Sequence, residues 1–149
     1  MKPFCIITCG KRKIWDKNPA AGQTKARCVY IGPFATKCKQ YAEIFYPSSW
    51  CILSAKYGFL FPDDMVPGPY NVSFNDRKTY PITIELLSAQ AKKNGLKDYD
   101  EIVVLGGKNY LEMVNGIFTE KKIITPLRDC KGIGYMMGLL NDLIKKAII

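Results

Sequence analysis

Apolar and polar positions alternate between two periods along this chain. Pro3 to Thr8 is a short apolar run that predicts a strand. Tyr30, Phe34, Cys38, Tyr41 and Phe45 recur at steps of three and four, which predicts a helix over 30–46. Pro33 fits only its first turn, so the helix should start near Ile31 or Gly32, and Pro47 ends it. Trp50 to Leu53 predicts a second buried strand, ending in Ser54-Ala55-Lys56-Tyr57-Gly58. Residues 59–70 hold Pro62, Pro67, Gly68 and Pro69, and read as a loop over that strand's end, carrying Asp63 and Asp64. Ile14 to Lys25 reads as another loop, anchored by Trp15.

The second half repeats the pattern. Asp76 to Asn94 predicts a helix with Ile82, Leu86, Leu87 and Ala89 to Ala91 on its apolar side. Pro81 sits in its first turn or breaks it, and Gly95 follows as a C′ residue. Glu101 to Gly107 is the clearest strand, β-branched and closed by two glycines, with a short helix over 108–115 after it. Lys121 to Pro126 is a short strand, and residues 135–148 form the last helix, with Met136, Leu139, Leu140, Leu143 and Ala147 inward. Strands alternating with helices predict a single α/β domain. Its sheet should be parallel or mixed, of about four to five strands, with helices on both faces.

The composition narrows the chemistry. The 149 residues carry 22 Lys+Arg against 13 Asp+Glu, a net charge of +9, which favours nucleotides or nucleic acid as partners. Histidine is absent, so Ser-His and Cys-His nucleophile pairs and His-containing metal sites are excluded. None of the six cysteines forms a C-x-x-C pair, and a disulfide framework is not expected for a chain able to bury a full core. The amino terminus reads as no signal peptide and no apolar run reaches about 18 residues. The expectation is a soluble cytoplasmic protein with no membrane partner.

Three strand ends converge in this reading. Cys9-Gly10-Lys11-Arg12-Lys13 offers a glycine and three cations for phosphate, without a Walker A pattern. Ser54 to Gly58 offers a hydroxyl, a cation and a ring. Gly106-Gly107 opens a helix whose backbone N–H groups can face an anion. Cys9 and Ser54 are the candidate nucleophiles, Lys56 their activator, and Asp16, Asp63 or Asp64 a base or a Mg²⁺ ligand. Gly10, Lys11, Lys13, Tyr57, Gly58, Tyr70, Gly106 and Gly107 are the candidate ligand-binding residues. Each also has a plain structural role: Ser54 as a cap, Lys56 paired with Asp63 or Asp64, Tyr57 and Tyr70 as packing.

Leu53 to Leu60, followed by Pro62, Asp63 and Pro69-Tyr70, resembles the YaaA-like superfamily. There a strand ends in a Ser-x-x-Tyr-Gly-Leu-like turn, then a Pro/Asp loop and a Pro-Tyr pair. Cys9 to Lys13 is similar to a Cys-x-x-x-Lys signature in a small-protein branch of that superfamily, as are Pro126-Leu127 and Gly132-Ile133-Gly134 near the end. The resemblance implies an α/β fold and a link to nucleic acid. The namesake is associated with peroxide stress and DNA binding, and related domains accompany tRNA-guanine transglycosylases and 7-deazaguanine DNA modification. This chain is much shorter and lacks room for the namesake's helical DNA-binding insertion.

Three function classes follow. The leading one is a nucleotide- or nucleic-acid-directed protein, an enzyme on a base, nucleotide or sugar-phosphate. The second is a non-catalytic single-strand-binding module, supported by the charge and by nine tyrosines and two tryptophans. The third is a cysteine-based peroxide sensor built on an exposed Cys9.

Overall fold

The computed structural model describes residues 2–148. In chain order the elements are β1 (Pro3–Thr8), α1 (Ile14–Lys17), β2 (Thr24–Lys25), α2 (Ala26–Val29), α3 (Pro33–Phe45), β3 (Trp50–Ser54) and β4 (Gly58–Leu60). Then come β5 (Met65–Val66), α4 (Ile84–Lys93), β6 (Glu101–Leu105), α5 (Lys108–Ile117), β7 (Lys122–Ile124) and α6 (Ile133–Ile148). The main sheet has the order β4-β3-β1-β6-β7. β3, β1, β6 and β7 are mutually parallel, while β4 returns antiparallel along β3. β2 and β5 form a separate two-stranded sheet. The α/β class and the mixed sheet expected from the pattern are what the chain adopts.

Both faces of the sheet are covered. Cys5, Ile7, Ile52, Val103 and Leu105 pack on α3 and α6 through Cys38, Tyr41, Leu140 and Ile144. Phe4, Ile6, Cys51, Leu53, Ile102 and Val104 pack on α4 and α5 through Leu87, Ala91, Val114 and Ile117. Strands buried on both faces explain why they read as continuous apolar runs.

Several boundaries differ from the sequence reading. Residues 59–70 are not one loop over the end of β3. Phe59 and Leu60 pair back along β3, so the Pro62–Asp64 turn lies at the opposite, amino edge. There Asp63 pairs with Lys25 and Arg27, and Asp64 accepts from the Phe61 N–H. The stretch 14–25 holds the single turn α1 and β2, with Trp15 buried as its anchor and donating to the Gly22 carbonyl at 2.8 Å. α3 starts at Pro33, leaving Tyr30 outside it. α4 starts only at Ile84, because Tyr80 is left-handed and Pro81 follows, and Thr83 caps it. Leu86 therefore faces solvent while Leu87 and Ala91 are buried. α6 begins at Ile133; Met136, Leu139, Leu140 and Leu143 pack inward as expected, joined by Ile144, while Ala147 is exposed.

Among the described residues no helix is long and apolar enough to cross a membrane.

Core burial makes an alkaline prediction. Burial pushes the Cys38 thiol from 9.0 up to about 12 and the Tyr41 phenol from 10.0 up to about 12, the latter with help from Tyr46 and Cys5. Both are acids held neutral in the fold. The unfolded chain loses their protons first as pH rises, so stability is whole below pH about 9 and drains toward about 12. Each group contributes on the order of 1 kcal/mol per unit of difference. Urea unfolding at about pH 8 and about pH 11 should show a clear fall in unfolding free energy; equal values would contradict this burial account.

Candidate functional site

The parallel register fixes where the strand ends meet. Thr8 lies beside Leu53, and Ile7 beside Leu105, so Cys9, Ser54 and Gly106 emerge at one carboxyl edge, as the strand pattern requires. The chain moves from β1 outward to β3 and β4, then crosses back to β6 on the other side of β1. That reversal puts the topological switch point between the ends of β1 and β6, where open α/β sheets commonly bind ligands.

The turn after β3 is built by Ser54 and Gly58. Ser54 is fully buried, and its Oγ accepts from the N–H groups of Lys56 at 3.2 Å and Tyr57 at 3.1 Å. It is a turn cap, and its burial and occupied lone pairs do not suit the nucleophile role considered from sequence. Gly58 has φ +80, and a Cβ there would meet the Gln90 side chain at 2.1 Å. Gln90 clamps the same turn, accepting from Phe59 N–H and donating to the Tyr57 carbonyl, both at 3.0 Å.

A hydroxyl network roofs this turn. Ser54 Oγ lies 2.9 Å from Tyr70 Oη, which in turn hydrogen-bonds Tyr30. Tyr57 and Tyr70 meet edge to face at 5.4 Å. Burial pushes the Tyr70 phenol up to about 12, against the pull of its bonds to Ser54 and Tyr30. Tyr30 is pushed up more strongly, again chiefly by burial.

Two lysines converge on Tyr70 from different strand ends. Lys13 Nζ stands 4.5 Å from the ring centroid and donates to the Lys11 carbonyl at 3.0 Å. Lys56 Nζ stands 5.7 Å from the same centroid and 5.3 Å from that of Tyr57. Lys13 is only 7% exposed, whereas Lys56 is exposed. Among the described residues neither forms an ion pair with a carboxylate. The pairing of Lys56 with Asp63 or Asp64 weighed from sequence does not form, because β4 carries both aspartates to the far edge. Burial lowers the Lys13 amine below its ordinary value; Cys9 and Asp16 oppose that shift and Lys11 adds to it.

Cys9 ties the end of β1 to α5. Its Sγ lies 3.1 Å from the Tyr110 hydroxyl in the first turn of α5, and Phe74 stacks edge-on against that ring at 5.8 Å. Gly106 permits this closure, since a Cβ there would press on Tyr110 at 3.2 Å. The thiol is only 6% exposed, so the exposed sensor cysteine expected at this position is absent, and Cys28 is the exposed one. Burial, with Cys9 beside it, raises Tyr110.

The remaining candidates divide. Gly10 has φ +73, and a Cβ there would lie 3.5 Å from Ala35 in the first turn of α3, so the Gly10–Arg12 loop runs past that helix start. Lys11 and Arg12 are exposed there. Gly107 is the N-cap of α5 and borders a cleft of about 360 Å³ shared with Lys108, Thr125, Arg128 and Met136. Asp16 is exposed, and its carboxylate accepts from the Lys13 backbone N–H at 2.9 Å, which makes it a cap of α1. No cluster of three or more His, Cys, Asp or Glu able to hold a metal occurs among the described residues.

Sequence reasoning missed Tyr30, Tyr110 and Gln90. Tyr30 was absorbed into an apolar stripe, although a phenol just before a Gly-Pro helix start was a usable signal. Tyr110 falls three residues after Gly107, one helical turn from the strand end. Nothing local marks Gln90.

The thiols give a direct check on this geometry. Alkylation of the folded protein should modify Cys28 first, then the half-buried Cys130, with Cys9 slow and Cys5 and Cys51 slowest. Cys9 reacting as fast as Cys28, by mass spectrometry of quenched samples, would contradict the Tyr110 closure.

The family model described as "Family of unknown function (DUF6884)" matches residues 4–142. The chain is also similar to the "Uncharacterized protein YfjM" of Bacillus subtilis (strain 168), at 44% identity over 147 residues. That alignment covers 98% of this chain and 97% of the relative. With the match running from β1 into α6, through every strand end at the carboxyl edge, the chain belongs to the DUF6884 family.

Proposed function

We propose that this is a nucleotide- or nucleic-acid-directed protein that takes the phosphate of its ligand at the carboxyl edge of β3, β1 and β6. The observation that carries the reading is that Lys13 and Lys56, from two strand ends, both approach the Tyr70 ring, while among the described residues neither pairs with a carboxylate. A ring face supplies each ammonium only about 1–2 kcal/mol. An anion at this edge supplies the charge that both lack. The resemblance to the YaaA-like superfamily and the net charge of +9 support the same reading.

In this reading the protein is an enzyme on a base, nucleotide or sugar-phosphate. Cys9, its thiol 3.1 Å from the Tyr110 hydroxyl, is then the candidate nucleophile, while Lys13 stays an ammonium that holds the phosphate. Ser54 serves the site by holding the turn that presents Lys56 and Tyr57. A second reading, a single-strand-binding module without catalysis, draws support from Tyr80. That ring is 89% exposed and follows Arg77 and Lys78, an arrangement suited to base stacking.

Binding of labelled single-stranded oligonucleotides and of nucleotides, measured at two salt concentrations, tests the proposal. Lys56→Ala should weaken binding by about fivefold to tenfold and reduce the salt slope by about one. Its melting temperature should stay close to that of the parent, since Lys56 is exposed and makes no ion pair among the described residues. A clear loss of stability with unchanged, salt-insensitive binding would reject the phosphate role.

A further inference from the structure

The cleft at the ends of β6 and β7 has no part in the phosphate reading above. Gly106 and Gly107 follow β6, Thr125 follows β7, and all three line it. Lys13, Lys56 and Tyr70 lie outside its lining, so it is a separate place on the molecule. Its volume of about 360 Å³ falls within the range of small-molecule sites, about 300–1,000 Å³.

The walls are largely apolar. Val104 and Leu127 are buried there, and Leu111 of α5 and Met136 of α6 are half-buried. Two cations, Lys108 and Arg128, line the same cleft and are exposed. Among the described residues neither forms an ion pair, and no carboxylate lines the cleft. Asp129, next to Arg128 in the chain, is exposed and outside the lining. The first turn of α5 carries no acid either, so the fixed charge of this wall has one sign. A Cβ at Gly107 would meet nothing within 4 Å, which leaves bare backbone facing open space.

We propose that this cleft binds a small organic anion: an apolar body against Val104, Leu111, Leu127 and Met136, with one acidic head group at Lys108 and Arg128. Charge complementarity selects the head group, and the apolar walls select the body. An inorganic anion would leave the walls uncovered. A neutral apolar molecule would leave both cations unmatched. The guanidinium fork of Arg128 accepts a carboxylate or a phosphate alike, so the head group is either of these two.

Cys130 and Met136 line the cleft and report on its occupancy directly. The probes are phenyl phosphate and benzoate, with inorganic phosphate and benzyl alcohol as the two half-ligands. Alkylation of Cys130, followed by mass spectrometry, should slow by about threefold or more with a complete probe, at a concentration where neither half-ligand slows it. Cys28, on α2 and outside the cleft, should label at an unchanged rate. The labelled methyl of Met136 should shift in NMR spectra along the same curve, with that of the exposed Met65 on β5 unmoved. This second signal serves where Cys130 labels too slowly to follow. Lys108→Gln and Arg128→Gln should each raise the half-saturating concentration about twofold to fivefold, and the pair together by more. Lys131→Gln, an exposed cation of the same turn outside the lining, should leave it unchanged. Protection by phenyl phosphate alone assigns a phosphate head group, by benzoate alone a carboxylate, and by both an unselective anion site. No response of Cys130 or Met136 to either complete probe would overturn the inference. So would benzyl alcohol acting as well as phenyl phosphate, Met65 moving with Met136, or a double Gln variant that binds like the parent. None of these results touches the Lys13–Lys56 reading, whose own test is the Lys56→Ala titration.

Discussion

The parallel pairing of β1 on both sides is the constraint from which the rest of the molecule follows. β1 hydrogen-bonds to β3 along one edge and to β6 along the other, and all three run the same way. Parallel neighbours require crossovers, and those crossovers supply α3 on one face and α4 on the other. The same geometry brings three unrelated loops to one end of the sheet. Residues distant in sequence, such as Cys9 and Tyr110 or Ser54 and Tyr70, come within hydrogen-bond distance only because of it.

The site's chemistry is a consequence of what this arrangement leaves uncompensated. Acidic groups in the loops around the sheet are engaged elsewhere: Asp63 with Lys25 and Arg27 at the amino edge, and Asp16 with the backbone of α1. Positive charge accumulates at the carboxyl edge, and one of the cations is covered. Burying an ammonium without a counter-charge costs stability, so the fold holds Lys13 with a carbonyl and a ring instead. A protein in which Lys13 served stability alone would do better with an apolar residue there.

Much of the fold was legible because both periods are strong. The Glu101–Leu105 run and the double glycine after it gave β6 and its turn correctly, and the three strand ends do share an edge. The error at residues 59–70 came from reading three prolines and a glycine as a loop. Phe59 and Leu60 lie ahead of the first proline, and Gly58, with its left-handed backbone, lets the chain double back onto β3. That hairpin moved Asp63 and Asp64 out of the site. Lys13 was legible as a cation but not as a covered one, because its burial depends on Tyr70, far along the chain. Cys9 was read as exposed since nothing adjacent to it announces Tyr110.

The central claim is that Lys13 and Lys56 hold one anion together. Isotope-labelled lysine side chains, followed by NMR while a nucleoside monophosphate is added, test it directly. Lys25 and Lys122 sit in ion pairs at the amino edge and act as internal controls. The account predicts that the Lys13 and Lys56 signals shift together along one binding curve, with Lys25 and Lys122 unmoved. Shifts confined to Lys25 and Lys122, or a Lys13 signal that stays fixed while exposed lysines move, would contradict it.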